Sequence, residues 1–166
     1  PIVIAVGNDG QPTVVYANLN SIYGEARLFK LWESTESPQT TGVAWGDING
    51  DGYDDILISG YGTNSQPSDY NAKDNGGLYV VLGSANRWSG QDLSLTNLSA
   101  NHQGFRITGA VDFEYAGMHG FTGVGDMNGD GLDDFIFQAP GDTEAGNASS
   151  GAQGSSYLIF GKTTGW

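Results

Sequence analysis

A chain of 166 residues with 38% hydrophobic and 11% aromatic content is long enough for one domain with a real core, which argues against disorder. Its 19 acidic residues against 6 basic ones give a formal net charge of -13, so the chain repels phosphate backbones and anionic membrane surfaces, and no nucleic-acid partner is expected. It contains 0 cysteines, which excludes disulfides and thiolate metal sites, and no run approaches the roughly 20 apolar residues of a membrane span, so no membrane insertion is expected.

The 27 glycines are dispersed rather than set in triplets, as expected for many tight turns between short strands, and the fold class read from this is all-β. The chain opens on Pro1-Ile-Val-Ile-Ala-Val, which reads as the inside of a strand and lacks a charged region or cleavage site. The sequence is therefore expected to be a mature fragment or an excised piece of something longer. A turn-like Asn8-Asp9-Gly10 leads to a second strand at Thr13 to Ala17, and Gly24 to Lys30 supplies a third.

The next segment carries the strongest signal. Gly46-Asp-Ile-Asn-Gly-Asp-Gly-Tyr-Asp-Asp-Ile-Leu-Ile (46–58) recurs as Gly125-Asp-Met-Asn-Gly-Asp-Gly-Leu-Asp-Asp-Phe-Ile-Phe (125–137), identical at every polar position. Each copy is followed by a polar, Gly-rich stretch, 60–76 or 141–154, read as an exposed loop. Each then resumes as a short apolar strand, Gly77 to Gly83 or Ser155 to Gly161. Between the copies, Leu93-Ser-Leu-Thr-Asn-Leu and Gly104-Phe-Arg-Ile-Thr-Gly alternate well enough to be further strands. The segment Asn8 to Ala17 aligns as a degenerate copy, but Ala5, Gly7 and Thr13 replace its oxygen-bearing positions, and it is expected to hold no metal. The units fall at approximately 1–41, 42–86 and 87–166 within a single all-β domain. Such a repeat is the sequence form of a β-propeller or a β-solenoid.

In Asp47-x-Asn49-x-Asp51-Gly52-Tyr53-x-Asp55, side-chain oxygens fall at the first, third, fifth and ninth positions, with the Tyr53 carbonyl at the seventh. Asp126, Asn128, Asp130, the Leu132 carbonyl and Asp134 repeat the set. These are hard ligands on a short arc, and Ca²⁺ takes roughly six to eight oxygens in a tolerant geometry, whereas Mg²⁺ demands a strict octahedron. Two Ca²⁺ sites are therefore expected. The glycine after the fifth position lets the chain reverse around the ion. An EF-hand would place a bidentate Glu at the twelfth position and then a helix. Here that position is Ile58 or Phe137, inside a strand-forming run, so the loop closes early, on Asp55 or Asp134. Asp54 and Asp133 are expected to point the other way, to solvent or a turn.

These two units resemble FG-GAP repeats, the blades of integrin α-chain propellers and of many bacterial surface and secreted proteins. The resemblance covers 43–83 and 104–161, with Phe121-Thr-Gly-Val-Gly125 as the strand leading into the second loop. It implies a β-propeller, or part of one, of about three blades, with structural calcium between the first two strands of a blade. It also implies a binding or adhesion module, extracellular or on the cell surface, whose surface loops meet a protein or glycan ligand. A non-catalytic module of a secreted hydrolase and a subunit of a self-assembling surface filament are the alternatives. Three blades do not close a ring, so self-association or further chain is expected to close it.

No catalytic role is expected. His102 and His119 are the only histidines and read as surface residues, and Ser149-Ser150 and Ser155-Ser156 lack a nucleophile-elbow pattern. Asn97-Leu-Ser99 and Asn147-Ala-Ser149 are glycosylation sequons of chance frequency. Of the tryptophans, Trp45 is expected in the core and Trp88 on the surface.

Overall fold

The computed structural model describes residues 2–5, 14–18, 28–33, 39–61, 76–84, 95–99, 102–110, 114–141 and 154–166. The inner part of the loop 60–76, most of 141–154, the degenerate loop after Ala5, Trp88 and the Asn147 sequon lie outside these residues.

Among the described residues ten strands follow one another in chain order. They are β1 (Ile2–Ala5), β2 (Val14–Asn18), β3 (Leu28–Glu33), β4 (Gln39–Gly46), β5 (Asp55–Tyr61), β6 (Gly77–Val81), β7 (Gly104–Thr108), β8 (Phe121–Gly125), β9 (Asp134–Ala139) and β10 (Ser155–Ile159). Among the described residues they form antiparallel sheets in the orders β1-β2-β3, β4-β5-β6-β7 and β10-β9-β8. In each, strands consecutive in the chain are neighbours in the sheet, an up-and-down meander. The all-β expectation holds, and among the described residues the sheets do not close into a ring. Among the described residues no helix is long and apolar enough to cross a membrane.

Register shows the internal repeat directly. The pair Gly46↔Asp55 ends the β4–β5 ladder, and Gly125↔Asp134 ends the β8–β9 ladder. The next strand pairs in the same way, Ile56↔Val81 in one sheet and Phe135↔Ile159 in the other. β4 lies alongside β8, which brings the second and third sheets together.

One apolar cluster joins those two sheets. Leu57, Leu78, Val80 and Phe105 from the second pack with Phe135, Phe137 and Ala139 from the third, and Ile48 and Ala116 complete it. Successive strand residues point to opposite faces. Every residue of β6 is nevertheless buried, so both faces of this central strand are covered. Phe105 also stacks on Trp166, with ring centroids 4.4 Å apart.

Two sequence expectations fail here. The stretch ending at Leu98 is not a strand in its described part: Leu95–Asn97 forms a single 3-10 turn. Leu95 and Leu98 are both buried because residues three apart eclipse each other in that geometry, whereas an alternation of two had suggested a strand. Trp45 is not in the core but 54% exposed. It is the penultimate residue of β4, the outermost strand of its sheet, so no further strand of that sheet flanks it on that side.

Candidate metal loops

The first loop, 47–55, joins β4 to β5; the second, 126–134, joins β8 to β9. Both wind around the carboxylate at their first position. Asp47 Oδ1 accepts from the N–H groups of Gly50 (2.8 Å) and Asp51 (3.0 Å), and its Oδ2 accepts from Gly52 (2.9 Å). Asp126 does the same with Gly129 (2.7 Å), Asp130 (3.0 Å) and Gly131 (2.8 Å). Those bonds favour the charged form, so the Asp126 carboxyl lies below its ordinary value, the Gly131 N–H being the largest cause.

The middle ligand positions follow the same plan. Asn49 Oδ1 accepts from Asp51 N–H at 3.0 Å, and Asp51 Oδ1 accepts from Tyr53 N–H at 2.9 Å. Asn128 and Asp130 reproduce both bonds at 3.0 and 2.9 Å. Gly50 and Gly52 have φ of 73° and 85°, and Gly129 and Gly131 have 79° and 88°. Left-handed backbone therefore recurs at two positions per loop, of which the sequence reading assigned a role only to the second.

The closing carboxylates are different in kind. Asp55 and Asp134 are fully buried. Asp55 Oδ2 accepts from Ile48 N–H (3.0 Å) and its Oδ1 from Gly83 N–H (2.7 Å). Asp134 is held equivalently by Met127 (2.8 Å) and Gly161 (2.9 Å). Each closing carboxylate thus ties the start of its own loop to the second residue past the next strand. Burial pushes the Asp55 carboxyl up to about 7, against the two N–H bonds that lower it, and the charges of Asp51 and Asp47 add to the rise.

What the geometry offers chemically is a set of hard oxygens with bonding capacity left. A carboxylate or amide oxygen has two lone pairs, and Asp47 Oδ2, Asn49 Oδ1 and both oxygens of Asp51 and Asp55 each accept a single bond from the described residues. This donor set fits a hard cation. Among the described residues no three acidic or histidine side chains are gathered into a finished cage. Asp55 is close enough to feel the charge of Asp47 and Asp51, yet its oxygens are engaged with backbone N–H groups.

Sequence reasoning misjudged Asp133. Expected to face solvent or a turn, it is half-buried, and its Oδ2 accepts a 3.0 Å bond from Asp47 N–H in the other loop. Asp54 is exposed, as expected. Gly83 and Gly161, the donors to the closing carboxylates, had stood in the sequence only as residues after a strand; their equivalent place in both units was the available signal. His102, His119 and Asn97 are exposed.

Residues 40–81 match the FG-GAP repeat family. No curated protein matches the chain. The matched segment runs through β4, the first aspartate loop, β5 and β6, and the second loop repeats the first in sequence, register and hydrogen bonding. Residues 40–81 of the chain therefore form an FG-GAP repeat.

Proposed function

We propose that this chain is a calcium-binding, non-catalytic structural or adhesion module of an extracellular or cell-surface protein. The observation that carries the reading is the duplicated loop: two nine-residue arcs of hard oxygens, wound by the same backbone N–H groups and ending on equivalent buried carboxylates. Asp47, Asn49, Asp51, the Tyr53 carbonyl and Asp55 would hold one Ca²⁺; Asp126, Asn128, Asp130, the Leu132 carbonyl and Asp134 would hold the other. The ion supplies positive charge where the loop crowds three aspartates, and so offsets their repulsion and the desolvation of the closing carboxylate. Its work is to fix the angle between the strands on either side of each loop.

On this reading the meander sheets are blades of a partial propeller within a single domain. The surface loops, rather than the metal loops, meet a protein or glycan ligand. Melting the protein in calcium and in chelator tests the proposal. Because metal that binds only the folded state stabilises it by mass action, the melting temperature is expected to fall by many degrees in chelator and to return with added calcium. A melt that is the same in both solutions overturns the calcium assignment.

A further inference from the structure

The two loops are joined by two sets of hydrogen bonds. In the first, Asp133 and Asp47 exchange bonds: Asp133 N–H donates to the Asp47 carbonyl at 3.1 Å, and Asp47 N–H donates to Asp133 Oδ2 at 3.0 Å. Asp47 is the residue whose carboxylate winds the first loop, so its main chain is held by the second loop. The other set runs between the closing carboxylates. Gly161 N–H bonds Asp134 Oδ1, the adjacent Lys162 N–H bonds the Ile48 carbonyl at 2.9 Å, and Ile48 N–H bonds Asp55 Oδ2. Packing reinforces both. A Cβ added at Gly50 would lie 2.4 Å from Leu132 Cδ2, so the Leu132 side chain already fills the space over the first loop.

We propose that Asp133 is a positioning residue that couples the loops, so that calcium in the second loop favours calcium in the first. This rests on the calcium reading given above. Leu132 and Asp134, the ligand positions on either side of Asp133, become fixed when the second loop closes on its ion. Fixing them fixes the Asp133 carboxylate and N–H, which then hold Asp47 in the conformation that winds the first loop. An unliganded second loop leaves Asp47 N–H to find its acceptor at the cost of ordering Asp133, and the first site binds more weakly for it. The coupling is reciprocal, since a binding free energy shared between two sites is the same whichever is filled first.

Calorimetric titration of chelator-stripped protein with calcium chloride tests this. Asp130→Ala disables the second loop and isolates the first. The first-loop affinity is expected to fall about fivefold or more in that variant, the lower end of ordinary inter-site coupling. In an Asp133→Ala background, which removes the carboxylate bond to Asp47 N–H but keeps the backbone bonds between the loops, the Asp130→Ala change is expected to lower first-loop affinity by less than in the wild type; an equal drop in both backgrounds overturns the role of Asp133. In an Asp133→Asn background, which keeps an acceptor oxygen, the coupling is expected to persist. A purely structural role for Asp133 would weaken both sites and lower the melting temperature in proportion, without altering the ratio that the paired variants read. Should Asp133→Ala not fold when stripped, the wild-type pair still decides whether the loops are coupled. Equal first-loop affinity with and without a working second loop overturns the coupling alone. Absence of any calcium heat in the wild type overturns the calcium reading and the coupling with it.

Discussion

At the scale of single residues, the division of labour within each loop follows from where its carboxylates sit. Asp126 is exposed and wrapped by N–H groups, which hold its carboxyl below the ordinary range, whereas Asp55 is buried and pushed up to about 7. The sign of the pH effect follows. Between about 4 and 7, folded calcium-free protein binds a proton on Asp55 that the unfolded chain does not, so Asp55 makes apo stability fall as pH rises through that window. On the proposed calcium reading the ion needs the carboxylate, so its stabilising effect would run the other way and grow toward pH 7 and above. The melting increment from calcium is therefore expected to be larger at pH 8 than at pH 5, and calorimetry at the two values checks it. Asp55→Asn should flatten the calcium-free profile across the window; a profile parallel to the wild type would exclude Asp55 as its source. Asp126, with its lowered carboxyl, contributes stability that is lost only at still lower pH.

At the scale of elements, strands were legible because their signal is local. Alternation and β-branched content mark β5, β6 and β9 without reference to neighbours, and the duplicated polar positions fix where the loops begin and end. Leu95 and Leu98 were misread because a short apolar alternation and a 3-10 turn place leucines at compatible spacings, and only burial separates the two. Trp45 was misread because its exposure depends on β4 being the edge of its sheet, which its own sequence does not record. Packing across the two sheets yields a direct test. Phe135 is fully buried in the cluster shared by β5, β6, β7 and β9. Phe135→Ala is expected to destabilise the protein by about 3–5 kcal/mol through lost burial and the cavity left behind, as urea unfolding would measure. A loss under about 1 kcal/mol would mean that the shared cluster does not hold the sheets together.

At the scale of the whole molecule, the sheet orders leave edges. β10 bounds its sheet with Tyr157 and Leu158 both more than a third exposed, and Phe160 beyond it is 48% exposed. Exposed edge strands of this kind favour pairing with further chain. If the meanders are blades, self-association should close the ring, and sedimentation should find the protein larger than one chain; a compact monomer would remove that idea. The sequence by itself determined the all-β class, the repeat, and the oxygen-bearing positions of both loops, because nine consecutive residues carry their own spacing. Only the tertiary structure decided that Asp55 and Asp134 are buried, that Gly83 and Gly161 hold them, and that Asp133 reaches Asp47. Those contacts join residues 27 to 86 positions apart. The two glycine contacts follow from the β5–β6 and β9–β10 ladders and the Asp133 contact from β4 lying alongside β8, and no local pattern records which strands a fold will bring together.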